Sequence, residues 1–266
     1  MARLHGTKDM WLASMRDEGG AFGSAAAEAD LASAVPSCPD WTIADLIHHL
    51  GSVYRWVHAH VVRGVTTKPD RSRLDFESEP RADDLINWWS QEFGSLVNTF
   101  DLLDPEMPAW NWAPQSKRVA FWQRRMAHET AVHRWDLQMA IGQAEPIETK
   151  LAADGVAEVL DTWLPAGRRH PVAQAGHTTG DSGGHLPTGM VALHATDIEH
   201  FWHVRLRGEG IALLDTETIL DFDEHPARVV AAGSCSDLML ALYGRVGFDV
   251  LDVSGDEELL RSMRVG

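Results

Sequence analysis

With 266 residues, 44% of them hydrophobic and 23% charged, the chain is long enough for one large or two small domains and can bury a core without covalent staples. Its 39 acidic against 23 basic residues give a formal charge of −16. That charge repels polyanions and argues against nucleic acid as a partner, although one local arginine could still hold a small anion. The only cysteines, Cys38 and Cys235, lie far apart with no CxxC neighbour, so neither a disulfide framework nor a zinc knuckle is expected. No apolar h-region follows Met1 and no run of about 18 apolar residues occurs, so a cytoplasmic protein without a membrane partner is expected.

In chain order, Thr7 to about Leu31 reads as an Ala-rich helix that Gly19, Gly20 and Gly23 should interrupt. Pro36 to Thr42 is a turn with two prolines. Thr42 then offers an N-cap and Asp45 a capping-box partner for a helix carrying Ile43, Leu46, Ile47, Leu50, Val53, Tyr54 and Val57 and ending near Gly64. Residues 65–80 are polar and irregular. A third helix is expected over Asp83–Leu103, a loop at Pro105, Pro108 and Pro114, and a fourth helix over Lys117–Ile141 with Gly142 as C-cap. Four amphipathic helices predict a bundle over residues 1–145. Beyond Pro146 the pattern changes. A helix over Thr149–Leu164 precedes a Gly/His/Pro-rich stretch, Pro165–Gly189, expected to be mobile. Strands are expected at Met190–Ala195 and Phe201–Leu206, weaker ones at Ile211–Leu213 and Arg228–Ala232, and short helices at Ser236–Tyr243 and Asp256–Met263. Mixed strands and helices predict a compact α+β domain over 146–266.

The segment His128-Glu129-Thr130-Ala131-Val132-His133-Arg134-Trp135-Asp136 carries the chemistry. Residues three and four apart share a helix face, so Glu129, His133 and Asp136 project together. The spacing is HExxxH, not the HExxH of zinc proteases, whose histidines sit four apart. A metalloprotease reading therefore fails, and the pair able to share a cation is Glu129 and His133. A third ligand must come from another helix. His49 falls roughly 100° from the centre of its apolar stripe and His48 roughly 160°. His49 is thus expected at the edge of the buried face and His48 in solvent. Together His49, Glu129 and His133 form a metal set with an open vertex, as in catalytic zinc sites, though two histidines and a carboxylate also suit iron. Asp136 could orient a ligand imidazole from behind. Against this, a helical Glu–His pair is more often a solvated surface pair. Most of the tryptophans should be core, with Trp41 and Trp135 as candidate pocket walls.

Val35-Pro36-Ser37-Cys38-Pro39-Asp40-Trp41-Thr42-Ile43-Ala44-Asp45-Leu46, followed by His49-Leu50-Gly51, resembles the opening of the mycothiol-dependent maleylpyruvate isomerase family of actinobacteria. His128-Glu129 with His133-Arg134-Trp135-Asp136 matches that family's second motif. Ser236-Asp237-Leu238-Met239-Leu240-Ala241-Leu242-Tyr243-Gly244-Arg245 is similar to its C-terminal signature, where tryptophan commonly replaces Tyr243. The motifs arrive in order across nearly the whole chain. The resemblance implies an α+β multidomain protein: an N-terminal DinB-like four-helix bundle, followed by a small C-terminal sterol-carrier-like α/β domain that completes the substrate cleft. It implies zinc, or another divalent metal, on His49, Glu129 and His133, and mycothiol as co-substrate. It also implies that Arg245 faces the cleft, making Arg245 and Asp136 the candidate catalytic residues.

The expected function is thiol activation at a metal for addition to an electrophilic small molecule, such as a carboxylate. A thiol is a poor nucleophile at neutral pH and its thiolate a good one. The outcome is either mycothiol S-transfer or cis–trans isomerisation of the maleylpyruvate type. The alternative is a non-catalytic metal- or thiol-binding module or sensor.

Overall fold

Helix starts in the N-terminal part follow from local caps. Thr7 Oγ1 accepts from Met10 N ahead of α1, Lys8–Glu28. Before α2, Ile43–Val61, Asp45 N donates to Thr42 Oγ1 at 3.2 Å and Thr42 N to Asp45 Oδ2 at 2.8 Å. Those bonds to Thr42 hold the Asp45 carboxyl below its ordinary range. Two further helices, α3 (Leu85–Leu102) and α4 (Val119–Ala140), complete a four-helix bundle. The structure, a computed structural model, describes residues 6–69, 80–81, 84–166, 188–207, 210–214 and 228–265. Most of the Pro165–Gly189 stretch, expected to be mobile, and part of the irregular 65–80 stretch lie outside the described residues.

α1 runs unbroken through its glycines, against the expected interruption. Packing explains the difference. The Phe93 ring occupies the space where a Cβ on Gly19 would stand, and Trp89 lies 3.2 Å from that of Gly23. These glycines are notches that admit the aromatic side chains of α3. On α2, Gly51 admits Trp88 in the same way.

The bundle interior holds Met15, Phe22, Leu46, Leu50, Tyr54, Leu96, Phe100 and Trp122, all nearly or fully buried. α4 also buries polar groups, which must find partners or cost free energy. Arg134 is 3% exposed and donates through Nε to Glu18 Oε2 on α1 at 2.5 Å, as well as to Gln138 Oε1 and to the carbonyls of Glu145 and Pro146. Tyr54 and Thr130 join hydroxyls at 2.6 Å, tying α2 to α4. These bonds fix the rotation of α4 about its axis, and therefore the direction in which its chemistry points.

The chain divides into two compact units, one from Gly6–Ile147 and the other from Glu148–Gly266. In the second, α5 spans Thr149–Glu158 and continues as a π-helical turn over Val159–Trp163, closed by Leu164 N donating to Val159 O at 3.0 Å. The single helix expected over Thr149–Leu164 is therefore widened at its end. Val159 and Leu164, about 140° apart on an ideal α-helix, are both fully buried, which the wider turn permits. The sheet order is β3-β2-β1-β4-β5, formed by β1 Thr188–Ala195, β2 His200–Arg207, β3 Gly210–Leu214, β4 Val229–Gly233 and β5 Asp252–Gly255. β1 and β4 pair in parallel and all other neighbours antiparallel. α6 (Cys235–Leu242) follows β4 directly, and α7 (Glu257–Arg261) follows β5. β5 was not foreseen: Asp-Val-Ser-Gly is short, lies at a sheet edge and lacks alternating apolar residues. The architecture is an α+β one, with a helical bundle followed by a small α/β unit.

Candidate metal centre

The rotation of α4 brings Glu129 and His133 to the same side, facing His49 of α2. His49 Nε2 lies 3.4 Å from Glu129 Oε1, and His133 Nε2 lies 3.3 Å from the same oxygen. The ligand atoms of all three residues lie within 4.8 Å of one another. Bonds of about 2.0–2.2 Å to a tetrahedral cation would set ligand atoms roughly 3.3–3.6 Å apart. These two edges, 3.4 and 3.3 Å, therefore suit a small cation as well as they suit hydrogen bonds. The side chains of His49 and Glu129 are 35% and 20% exposed, that of His133 only 6%, so one side of the cluster opens outward.

Hydrogen bonding on the far side of His133 sets its tautomer. Its Nδ1 lies 2.8 Å from Oδ2 of the fully buried Asp136. With Nδ1–H donated to that carboxylate, neutral His133 turns a lone pair on Nε2 towards Glu129 Oε1. Two electron-rich atoms at 3.3 Å repel unless a cation, a proton or a metal ion, lies between them. Burial alone would lower the His133 pKa, but bonds to Asp136 and Glu129 outweigh it and raise it. Burial would raise the Glu129 pKa, yet bonds from His133 and His49 and the charge of Arg125 carry it well below the ordinary range. Arg125, one turn earlier on α4 and buried, donates to Glu129 Oε2 at 2.8 Å. That leaves Oε1 as the oxygen shared by the histidines.

Three features were not read from the sequence. Arg125 stands four residues before Glu129, a spacing that could have disclosed it. Ser37 Oγ donates to Asp136 Oδ1 at 2.6 Å, and Cys38 Sγ to Asp136 Oδ2 at 3.5 Å, contacts across 99 and 98 residues that no local signal discloses. Trp41 supplies a wall, its ring centroid 4.8 Å from that of His49 and 6.4 Å from that of His133, whereas Trp135 is buried. Expected to lie in solvent, His48 instead stacks on Trp88 at 5.5 Å, because Gly51 draws that indole against α2. His128 is fully buried in the bundle and is not one of the three clustered residues. Arg245 belongs to the other unit, where its Nη1 donates to the carbonyl of Tyr243 at 3.0 Å.

Among the described residues no helix is long and apolar enough to cross a membrane. The fold is that of a DinB-like bundle protein with an appended α/β unit. Residues 12–138 match the family described as the mycothiol maleylpyruvate isomerase N-terminal domain. That match places the helical bundle among the mycothiol maleylpyruvate isomerase N-terminal domains. The solved structures the chain resembles include a mycothiol-dependent maleylpyruvate isomerase, at 15% identity, 96% coverage of each chain and a TM-score of 0.61. A histidine-to-alanine mutant of such an enzyme matches at 13% identity, the same coverage and the same TM-score. No curated protein matches the chain.

Proposed function

We propose that this chain is a zinc-dependent enzyme that uses mycothiol, activating the thiol for addition to an electrophilic small molecule. The observation that carries this reading is the convergence of His49 Nε2 and His133 Nε2 on one oxygen of Glu129, at 3.4 and 3.3 Å, on a side open to the exterior. Two neutral imidazoles and a carboxylate are a fitting donor set for zinc with one vertex left for a ligand. When bound, zinc supplies a positive charge that lowers the pKa of a coordinating thiol, so that it reacts as thiolate at neutral pH.

The chain's own residues supply the remainder. Asp136 keeps the His133 Nδ1 proton and so keeps Nε2 available. Arg125 holds Glu129 by its outer oxygen. Trp41 shields the imidazoles from water on one side. Arg245 is proposed to pair with a substrate carboxylate and to stabilise developing enolate charge. In the reaction, sulfur forms a bond to an alkene carbon conjugated with a carbonyl, and the π pair moves to the carbonyl oxygen. The former double bond can then rotate. Expulsion of the sulfur restores it in the trans form, as in maleylpyruvate isomerisation. Protonation of the enolate carbon instead leaves a stable thiol conjugate, as in S-transfer.

The test is turnover of mycothiol with an activated alkene or maleylpyruvate, followed by mass spectrometry of the product. A thiol-free trans isomer identifies isomerisation and a stable conjugate identifies transfer. His49→Ala should remain folded, lose its metal and lose turnover. Purified protein without bound metal and without thiol-dependent turnover would sink the reading and leave a binding module.

A further inference from the structure

The turn between α1 and α2 is built more firmly than a connector requires. Ala34 and Thr42 pair across it, Val35 N donates to Trp41 O at 2.9 Å, Cys38 N to Val35 O at 3.0 Å, and Trp41 N to Cys38 O at 3.1 Å. Asp40 takes a positive φ of 69° to close it. Three consecutive backbone bonds make the turn a rigid unit anchored at the N-cap of α2. Its side chains then reach α4. Ser37 and Cys38 both donate to Asp136, and Trp41 lies beside the rings of His49 and His133.

Consider what Asp136 needs in order to orient an imidazole. A carboxylate with one partner can rotate about its last torsion and exchange oxygens. Here Oδ1 is held by Ser37 at 2.6 Å, while Oδ2 takes Cys38 at 3.5 Å and His133 Nδ1 at 2.8 Å. With both oxygens engaged, the carboxylate plane is fixed, and so is the direction of the bond it accepts from His133. The close approach of Cys38, His133 and Asp136 follows from this hydrogen bonding and needs no second cation.

We propose that the Ser37–Trp41 turn is a clamp on the metal centre: Ser37 and Cys38 are positioning residues that fix Asp136, and through it the Nδ1–H tautomer and ring plane of His133, while Trp41 braces both imidazoles. The proposal rests on the reading of His49, Glu129 and His133 as metal ligands, and its test separates the two.

The experiment compares wild type, Ser37→Ala, Ser37→Thr and Cys38→Ala. Zinc affinity is measured by chelator competition, and the His133 Nδ1–H proton by NMR of histidine-labelled protein. Loss of one such hydrogen bond corresponds to roughly a two- to tenfold change in an equilibrium constant. Ser37→Ala should therefore weaken zinc binding about three- to tenfold, leave the stoichiometry at one, and lose the slowly exchanging Nδ1–H resonance. Ser37→Thr, which keeps the hydroxyl, should restore both. Cys38→Ala, with the longer bond, should show a smaller shift in the same direction. Unchanged affinity and an unchanged resonance in Ser37→Ala would overturn the clamp while leaving the metal reading intact. Failure of wild type to bind zinc would overturn both. Should Ser37→Ala not fold, Cys38→Ala decides by the same resonance: if it matches wild type in exchange and in affinity, the clamp is refuted.

Discussion

His133 on α4 and His60 on α2 are both buried, 5% and 1% exposed, yet their surroundings differ in kind. His133 lies between two carboxylates, and its bonds to Asp136 and Glu129 overcome burial and raise its pKa. His60 lies among indoles, its ring centroid 4.3 Å from that of Trp56, 4.6 Å from Trp122 and 6.1 Å from Trp110. Its Nδ1 bonds to the Trp56 carbonyl at 2.9 Å, and burial pushes its pKa down to about 4. Among the described residues its Nε2 is buried with no hydrogen-bond partner. A buried histidine is thus not by itself a ligand. What distinguishes the centre is the anionic company of the imidazole and an outward opening, neither of which the indole cluster provides.

The most forceful way to break that contrast is to remove the anion. Glu129→Gln keeps shape but replaces the shared carboxylate oxygen with a neutral amide, a poor zinc ligand. Metal affinity should fall by more than the about 100-fold that loss of an outer-sphere partner can cost, while the bundle stays folded. Elemental analysis after dialysis checks this, and stoichiometric metal in the variant would refute the ligand assignment. The next effect belongs to His60. Its folded pKa of about 4 lies below the ordinary 6.5, so its contribution is intact above 6.5 and is lost as pH falls towards about 4. The loss is on the order of 3 kcal/mol. Replacing it by leucine should flatten this acid limb in urea unfolding at pH 7 and pH 4.5, with metal occupancy at pH 7 unchanged. An undiminished acid limb, or a loss of metal, would undo the contrast.

How far these two environments could be read from residue order follows from what builds them. Glu129, His133 and Asp136 share a face by helical geometry, and HExxxH excluded the protease arrangement on spacing alone. His49 required a second step, its angle to the apolar stripe of α2, and the same argument misplaced His48 because it ignored the indole that Gly51 admits. Ser37 and Cys38 reach Asp136 across about a hundred positions, so only the packed bundle could disclose them. Gly19 shows the same limit in the fold: a glycine inside a helix reads as a break until its neighbour, Phe93, is known. In the C-terminal unit the strands rich in β-branched and aromatic residues were legible, whereas β5, a short polar edge, owes its form to pairing with β4.

The subtlest effect sharpens the contrast by titration. In the metal-free protein His133 has a raised pKa, because its bonds to Asp136 and Glu129 outweigh burial. The stabilisation from its proton is therefore fully present below the ordinary value of 6.5 and is lost as pH rises through the higher folded value. A bound cation must displace that proton, so metal binding strengthens over the same interval in which the free protein weakens. Glu129, held well below its ordinary range, stays ionised throughout and adds no slope. The gap between melting temperatures with and without zinc should accordingly widen as pH rises, with its midpoint above 6.5, and His60→Leu should leave that midpoint where it is. A gap that is constant with pH, or one that reaches its full width below 6.5, would mean that Glu129 and Asp136 do not hold a proton on His133 in competition with a metal.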